Sequence, residues 1–171
     1  MGTVFVSYSH KDEKWKDRLM PHLKSLKMLG HIDEWDDRKI KVGDDWYDKI
    51  KKAMEDASIA ICFISPNFLA SDFCMEEEVP YFLEKRKEEG MLIIPILIDS
   101  CMWKEYKWIS ETQMLPRDGK CVAVNFMSHY NTVFLDVANR IKEFVEAGLK
   151  AEAETLETEW ERPSDDLIDI D

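Results

Sequence analysis

Two apolar runs, each about as long as one β-strand, constrain the fold of this chain more than any other feature. They lie within Ser58–Ile64 and Leu92–Leu97. Neither run alternates apolar with polar residues, which is the pattern expected when one face of a strand meets water. Continuous runs of this kind are typical of parallel sheets that helices cover on both faces. The sequence therefore predicts a buried parallel sheet.

Helical patterns separate these runs from further strand candidates. Glu13–Leu29 places Trp15, Leu19 and Leu23 on one face, and Gly30 follows as a helix stop signal. Strands that alternate with helices favour an α/β fold with right-handed crossovers. The predicted strands are Thr3–Ser7, His31–Trp35, Ser58–Ile64, Leu92–Leu97 and Cys121–Asn125, and the predicted helices are Glu13–Leu29, Trp46–Ala57, Asp72–Glu89 (capped by Ser71) and Thr132–Glu146.

The net charge of −12 is concentrated near the end of the chain. Residues 143–171 hold 11 acidic residues against Lys150 and Arg162, a net charge of −9, which leaves −3 for the first 142 residues. No basic surface is available to displace the counterions of a nucleic acid, so we expect no direct nucleic-acid contact. Because the helical periodicity weakens beyond Gly148, we expect a domain over residues 1–147 and an acidic tail or linker over residues 148–171.

The last residues of this tail allow two interpretations. Ser164–Asp171 is rich in acidic residues and fits a solvated tail or linker. Alternatively, the apolar residues of Leu167-Ile168-Asp169-Ile170 dock on a partner or on the edge of the sheet.

Composition and cysteine spacing bear on where the protein works. No apolar run approaches the roughly 20 residues that a membrane helix needs, and no apolar leader precedes the first strand. The four cysteines form no C-x-x-C pair and no metal-ligand spacing. We therefore expect a cytoplasmic protein with reduced thiols, no membrane contact and no bound metal.

Two other α/β classes do not fit the residues at the strand ends. Bacterial receiver domains need a phosphorylatable Asp after the third strand, but the run that ends at Ile64 continues with Ser65 and Pro66. They also need a Lys after the fifth strand, where this chain has Asn125 and Phe126. Dinucleotide-binding Rossmann domains need G-x-G-x-x-G after the first strand, and this motif is absent from the sequence.

Several short segments, in order, resemble the Toll/interleukin-1 receptor (TIR) domain family, and in particular its bacterial, NAD+-cleaving branch. The resemblance covers about residues 3–146. The segments are Phe5-Val6-Ser7-Tyr8-Ser9-His10 with Asp12, the BB-type loop from Trp35 to Trp46, Ile64–Ser71, Ser71-Asp72-Phe73-Cys74-Met75-Glu76-Glu77, and the late pieces Ile94-Pro95-Ile96 and Leu115–Lys120. The resemblance implies a flavodoxin-like, five-stranded parallel sheet with helices on both faces.

The resemblance also implies a catalytic residue. In the family's enzymes a Glu stands four residues after an aromatic residue, usually in W-C-x-x-E, and Phe73, Cys74 and Glu77 take these positions here. Phe73 replaces the common Trp, and Pro80 is expected to kink the helix just beyond. On an α-helix Phe73, Glu77 and Tyr81 also stand at i, i+4 and i+8, so the carboxylate of Glu77 would lie between two aromatic rings.

A single carboxylate suffices for the implied reaction, the cleavage of NAD+ between ribose and nicotinamide. Ordinary glycosidases need two carboxylates, because one must protonate the leaving group. Nicotinamide in NAD+ is a pyridinium and leaves as a neutral molecule, so no general acid is required. The site must supply negative charge near the developing oxocarbenium ion. NAD+ is then the substrate, and no cofactor is expected.

Further substrate contacts are expected where the strands end, because ligands of doubly wound sheets bind there. Trp46 either lines the pocket or packs on its own helix, and His10 is either a loop residue or a ligand contact. Asp36 and Arg38 either reach the ligand or bridge to a neighbouring protomer. The predicted substrate-binding residues are Tyr8, Ser9, Asp36, Arg38, Trp46, Ser71 and Phe73.

The resemblance leaves two functions open. The first is an NAD+ glycohydrolase or cyclase that serves as a self-assembling effector of bacterial antiviral defence, with a fused or separate sensor module. In the family the loop corresponding to Asp36–Asp45 inserts into an adjacent copy, and such a head-to-tail contact builds filaments or open arrays. The second is a non-enzymatic interaction module, either an adaptor or a virulence mimic of host adaptors.

Overall fold

Strands and helices alternate through the first part of the chain, as the apolar runs predict. The computed structural model describes residues 2–36 and 45–160. The strands are β1 (Gly2–Ser7), β2 (Ile32–Asp36), β3 (Ile59–Ile64) and β4 (Leu92–Leu97). The helices are α1 (Glu13–Met28), α2 (Trp46–Asp56), α3 (Pro66–Leu69), α4 (Val79–Glu89), α5 (Lys107–Ser110), α6 (Val122–Asn125) and α7 (Tyr130–Trp160), and a π-helical segment (Phe73–Glu78) leads directly into α4.

The four strands form a parallel sheet in the order β2-β1-β3-β4. Val4 of β1 pairs with Ile59 of β3, and Ile61 of β3 pairs with Ile94 of β4. The chain passes from β1 outward to β2 and then returns across β1 to β3, so the order of strands reverses beside β1. In open α/β sheets, ligands bind outside the carboxyl ends of the strands at such a reversal. The parallel pairing of all four strands, together with the helices between them, confirms the predicted α/β class and the predicted parallel sheet.

Two apolar layers cover the sheet, one on each face. Val4 and Val6 of β1 point into the layer that contains Leu19 of α1 and Phe134 of α7. Phe5, between them in the sequence, points into the opposite layer, where its ring lies 5.5 Å from that of Phe82 of α4. This alternation follows from the two-residue period of a strand. The same alternation determines which face of the sheet each side chain at the end of β1 points to, and these side chains lie next to the candidate site described below.

The predicted strand at Cys121–Asn125 is wrong. Residues Val122–Asn125 form one helical turn, so the sheet built from residues 2–36 and 45–160 has four strands. The Ala123 N–H donates to the Ile98 carbonyl at 2.8 Å, and Leu115 makes a parallel bridge to Ile96. A short apolar run of this length is compatible with a buried helical turn as well as with a strand, and periodicity alone cannot distinguish them.

The last helix is longer than predicted. It runs from Tyr130 to Trp160 rather than from Thr132 to Glu146, and Gly148 lies inside it. A glycine in a helix interior costs only about 1 kcal/mol, and the alanines and glutamates that follow favour helix. The side chains of residues 146–158 are exposed, so the extension is outside the core. The domain boundary at residue 147 stays a prediction.

None of the helices within residues 2–36 and 45–160 combines the length and the apolarity that crossing a membrane requires.

Candidate active site at the carboxyl end of the first strand

A cleft of about 290 Å³ opens beyond the end of β1, and we call it the strand-end cleft. Five of its seven lining residues were predicted as substrate contacts from the sequence. They come from three separate parts of the chain: the loop after β1, the first turn of α2, and the start of the π segment. The lining residues are Tyr8, Ser9, His10, Trp46, Ile50, Ser71 and Phe73.

The loop that forms one wall of the cleft is held to the neighbouring strand end. The Asp12 carboxylate accepts hydrogen bonds from Ser65 Oγ at 2.5 Å and from Asn67 Nδ2 at 3.2 Å. Ser65 also caps α3, because its Oγ accepts the Phe68 N–H at 3.0 Å. Asp12 is only 8% exposed, so these bonds are shielded from water. The connections after β1 and β3 are thus clamped together, and Tyr8 and Ser9 are positioned by this clamp.

Two aromatic rings form the opposite wall. The rings of Trp46 and Phe73 lie 5.6 Å apart at an interplanar angle of 63°. Trp46 remains 44% exposed, so it keeps surface available for a planar ligand. The structure thereby supports the interpretation that Trp46 lines the pocket. Tyr8, in contrast, is only 6% exposed and packs against Phe63, so it offers the cleft little surface.

The helix that carries the predicted catalytic residue begins as the sequence indicates. Ser71 Oγ accepts the Cys74 N–H at 3.2 Å, which confirms the predicted cap, and Gly90 ends the helix in the left-handed conformation with φ 73°. The first six residues, however, form a π-helix: the Val79 N–H donates to the Cys74 carbonyl, five residues back. Pro80 contributes a physical reason, because its ring clashes with the carbonyl four residues earlier in a regular α-helix.

Glu78, rather than Glu77, is the carboxylate that turns toward β1. Both lie in the π segment Phe73–Glu78, which is closed by an i→i+5 hydrogen bond. Glu78 is fully buried, and its Oε1 accepts a hydrogen bond from Ser7 Oγ at 3.3 Å. Glu77 is exposed. The regular α-helical spacing expected for Phe73, Glu77 and Tyr81 is interrupted, because Phe73–Glu78 is π-helical. The position of the Glu77 carboxylate between two aromatic rings stays a prediction.

Tyr81 faces a different environment from the one expected. It lies one α-helical turn after the π segment, beside the end of α2. Burial, and then the negative charges of Glu55 and Glu89, raise the pKa of its hydroxyl above the ordinary value. Its ring is partly buried and lies outside the strand-end cleft.

Over residues 4–128 the chain matches the family model described as TIR domain. This chain belongs to the TIR domain family. The family predicted from the ordered segments is thus confirmed, whereas the narrower assignment to the NAD+-cleaving branch remains a prediction.

One curated relative and two solved structures illustrate the similarity. The uncharacterized protein y4lF of Sinorhizobium fredii (strain NBRC 101917 / NGR234) is 33% identical over 143 residues, which are 84% of this chain and 43% of that protein. The TIR domain of the Toll-related receptor TRR-2 from Hydra magnipapillata has a TM-score of 0.46 at 22% identity and covers 63% of this chain and 81% of its own. The TIR domains of the activated Roq1 resistosome directly recognizing the pathogen effector XopQ have a TM-score of 0.46 at 17% identity, with 84% of each chain covered.

The present chain thus spans less than half the length of the curated relative, y4lF.

Two of the predicted contacts of this TIR domain are not part of the described cleft. Arg38 lies outside the described residues, as does most of the loop Asp36–Asp45. Asp36 ends β2, where its backbone pairs with Phe5 of β1. Ile50, which is 4% exposed, was missed by the sequence reasoning although it lines the cleft. Its helical spacing from Trp46, one turn earlier on α2, is the signal that indicates it.

Proposed function

We propose that this TIR domain cleaves NAD+ between ribose and nicotinamide, as a glycohydrolase or a cyclase. The observation that supports this proposal best is the buried carboxylate of Glu78, which accepts a hydrogen bond from Ser7 at the end of β1. The cleft lined by aromatic rings and hydroxyl groups begins at the next residue, Tyr8, although neither Glu78 nor Glu77 is among its lining residues. A fixed negative charge in a water-poor setting stabilises a developing cation far more strongly than the same charge in water.

In hydrolysis, the bond between ribose C1′ and the pyridinium nitrogen breaks, and its electron pair goes to nicotinamide. The oxygen of a water molecule bonds to C1′ and releases one proton, so the products are ADP-ribose, neutral nicotinamide and H+. In cyclisation, a nucleophilic nitrogen of the substrate's own adenine takes the place of water. Neither route needs a general acid, which is why one carboxylate is sufficient.

The walls of the strand-end cleft suit the two parts of the substrate that react. Trp46 and Phe73 present aromatic surface on which the nicotinamide ring can stack. Ser9 and Ser71, which also line the cleft, carry hydroxyls that can hydrogen-bond to the ribose. A cleft of about 290 Å³ is at the lower end of the range for small-molecule sites, so it fits the reacting nicotinamide riboside better than the whole dinucleotide.

The family motif and the structure favour different glutamates. The W-C-x-x-E spacing predicts Glu77, and nothing in the geometry tests its role directly. Glu78 is buried and bonded to Ser7 of β1, whereas Glu77 is exposed. We therefore propose Glu78 as the carboxylate that stabilises the oxocarbenium ion, with Glu77 as the alternative that the experiment must exclude.

Three matched variants of the glutamate run test this proposal. The protein is incubated with NAD+ at high concentration with a crowding agent, and free nicotinamide is quantified by chromatography. Glu78→Gln should lower the rate about 100-fold or more, whereas Glu77→Gln and the control Glu76→Gln should remain within about twofold of wild type. Circular dichroism of Glu78→Gln shows whether the variant is folded.

Other results would point elsewhere. Loss of activity in Glu77→Gln alone would restore the prediction from the family spacing. If wild type releases no nicotinamide even under assembling conditions, the non-enzymatic interaction module becomes the better proposal.

We also propose that activity depends on self-association through the loop Asp36–Asp45, in a cytoplasmic, self-assembling effector of bacterial antiviral defence. Support comes from the charges of the loop, which mixes Arg38, Lys39 and Lys41 with four aspartates and so suits a head-to-tail contact. Light scattering and the specific rate should then both rise with protein concentration. A specific rate that is constant, with no assembly detected, would contradict this part of the proposal.

A further inference from the structure

A second cavity, of about 560 Å³, lies beside β4, on the side of the strand that faces away from β3. We call it the β4 edge groove. Its volume is within the range of about 300–1,000 Å³ that is usual for small-molecule sites. The groove is separate from the strand-end cleft, because no residue lines both. Its apolar lining comes from residues 91–94 and from Leu115, and the rest of its lining is polar.

The polar lining comes from two different parts of the fold. Helix α7 packs in one apolar layer of the sheet and α4 packs in the other, so they approach the edge of β4 from opposite faces. The α7 wall consists of residues at spacings of three and four, which share one helical face: Asp136, Asn139, Arg140 and Glu143. The remaining polar lining contains no carboxylate and consists of Arg86, Thr112, Gln113 and Arg117.

Charge is therefore distributed unevenly in the groove. The α7 wall holds two carboxylates and one guanidinium, whereas the remaining lining holds two guanidinium groups. Among residues 2–36 and 45–160, none of the ion pairs involves Arg86, Arg117 or Arg140. The positive charge of these side chains is thus available to an anion that enters the groove.

Arg86 is oriented by hydrogen bonds to the segment that follows α5. Its Nη1 donates to Thr112 Oγ1 at 3.0 Å, and Thr112 Oγ1 in turn donates to the Trp108 carbonyl. A guanidinium group has five N–H donors, so one bond to Thr112 leaves most of them for a ligand. The Arg86 side chain is therefore positioned without being used up.

Strand β4 adds a backbone donor to the groove. The N–H groups of Leu92 and Ile98 point toward β3, whereas the Leu97 N–H points outward and donates to the Leu115 carbonyl at 2.8 Å. Because N–H groups alternate between the two sides of a strand, the Ile93 N–H points outward as well, and Ile93 lines the groove. An anion at this edge can therefore meet a backbone N–H as well as arginines.

This combination suits a phosphate group at one end of the ligand and hydroxyl groups at the other. A phosphate has three peripheral oxygens and up to two negative charges, so it can bind several guanidinium groups at once, whereas a carboxylate has two oxygens and one charge. Asp136 and Glu143 repel an anion, but their oxygens accept hydrogen bonds from hydroxyl groups. A sugar phosphate carries both kinds of group.

We propose that the β4 edge groove is a binding site for a small sugar phosphate. Arg86, Arg117 and the Ile93 N–H bind the phosphate, and Asp136 and Glu143 accept hydrogen bonds from the sugar hydroxyls. This site does not rest on the proposed cleavage of NAD+, and none of the residues of the strand-end cleft takes part in it.

NMR titration of the full-length chain with ribose 5-phosphate tests the site. The amide signals of Ile93 and Ile94 should shift, and those of Ser9 and Phe73 in the strand-end cleft should not. Ribose 5-phosphate should bind at least about tenfold more tightly than ribose or inorganic phosphate, because each of these offers only one of the two recognised groups. Shifts at Ser9 and Phe73 without shifts at Ile93 would overturn the proposal.

Single arginine variants test the phosphate end. Arg86→Gln and Arg117→Gln should each weaken the binding of ribose 5-phosphate about tenfold or more, because each removes charge-assisted hydrogen bonds. Lys87→Gln is the matched control, since Lys87 is an exposed cation next to Arg86 that does not line the groove. It should change the affinity less than about twofold, because salt screens an exposed charge at this distance. Equal affinity in wild type, Arg86→Gln and Arg117→Gln would contradict the assignment.

The double variant Asp136→Ala/Glu143→Ala tests the sugar end. Alanine favours helix, so α7 should be retained. Ribose 5-phosphate should bind about tenfold more weakly to this variant, whereas inorganic phosphate should bind at least as tightly as to wild type. If ribose 5-phosphate binds wild type no more tightly than inorganic phosphate does, the groove attracts anions in general and the proposal fails. Self-association that Arg86→Gln abolishes, without any effect of ribose 5-phosphate, would assign the groove to a second copy instead.

Discussion

Ser7 Oγ donates a hydrogen bond to Glu78 Oε1 across 3.3 Å, and this bond joins the last residue of β1 to the last residue of the π segment. Both side chains are fully buried. Phe5, two residues before Ser7, packs against Phe82 of α4, which lies one turn after Glu78. The end of β1 and the helix are therefore connected by a polar contact, Ser7 to Glu78, and by an aromatic contact, Phe5 to Phe82, so each fixes the position of the other.

Removing the hydroxyl of Ser7 should destabilise the protein. Ser7→Ala leaves a buried carboxylate without this donor, and such a loss costs about 1–3 kcal/mol of the free energy of unfolding. Urea unfolding followed by circular dichroism measures the change. Ser110→Ala, at an exposed serine, should remain within about 0.5 kcal/mol of wild type. If the two variants are equally stable, the bond contributes nothing to the fold.

Truncation of Trp46 should weaken substrate binding more than it slows the chemistry. The stacking surface of the ring is worth about 0.5–1.5 kcal/mol, which corresponds to a rise in KM of about 2- to 12-fold for Trp46→Ala with kcat little changed. Trp103→Ala is the matched control, because this ring lies near Gly119 and outside the strand-end cleft. Steady-state release of nicotinamide measures both constants. An unchanged KM for Trp46→Ala would remove Trp46 from the proposed substrate site.

The sequence predicts the strand-end cleft well because its geometry follows from a few local rules. Once Thr3–Ser7 is a strand of a parallel sheet, the residues after Ser7 must lie at the ligand-binding end. Helix spacing then brings Trp46 to the start of α2, and the Ser71 cap sets the start of the next helix. Each of these positions depends on short-range patterns, so Tyr8, Ser9, Trp46, Ser71 and Phe73 meet as predicted.

The choice between Glu77 and Glu78 could not be made in this way. One residue of difference in register turns a side chain by about 100° on an α-helix, and the π segment alters the register inside the motif itself. Pro80 indicates that the helix is irregular here. Which of the two carboxylates turns toward β1, however, depends on the buried contact between Glu78 and Ser7, which lies 71 residues before Glu78 in the chain. The turn at Val122–Asn125 likewise depends on a distant carbonyl, that of Ile98, which no local pattern reveals.

Lys85 should stabilise the protein by capping α2. Its side chain is 8% exposed, and its Nζ donates to the carbonyls of Met54 (3.2 Å), Glu55 and Ala57 (2.6 Å), which are otherwise unsatisfied at the end of a helix. A positive charge at this end also interacts favourably with the helix dipole. Lys85→Met keeps the apolar stem but removes the ammonium group, so we expect a loss of about 1–3 kcal/mol in the free energy of unfolding.

The control for this variant is Lys87→Met, two residues further along α4 and exposed. It should leave the urea midpoint almost unchanged. A stability of Lys85→Met equal to that of Lys87→Met would show that water replaces the ammonium group at these carbonyls without cost.

Thiol reactivity should single out Cys101 and respond to a nearby carboxylate. Cys62, Cys74 and Cys121 are buried, and Cys101 is half-buried. Burial, and to a lesser degree the negative charge of Asp99, raise the pKa of the Cys101 thiol above its ordinary value, so little reactive thiolate is present at pH 8.

Iodoacetamide should therefore modify one cysteine per native chain, more slowly than it modifies glutathione, with a rate that continues to rise above pH 9. Asp99→Asn lowers the pKa and should speed up the reaction at pH 8, whereas Cys101→Ser should abolish it. Mass spectrometry locates the modified residue, and rapid labelling of Cys101 at pH 7, or no effect of Asp99→Asn, would contradict this account of the thiol.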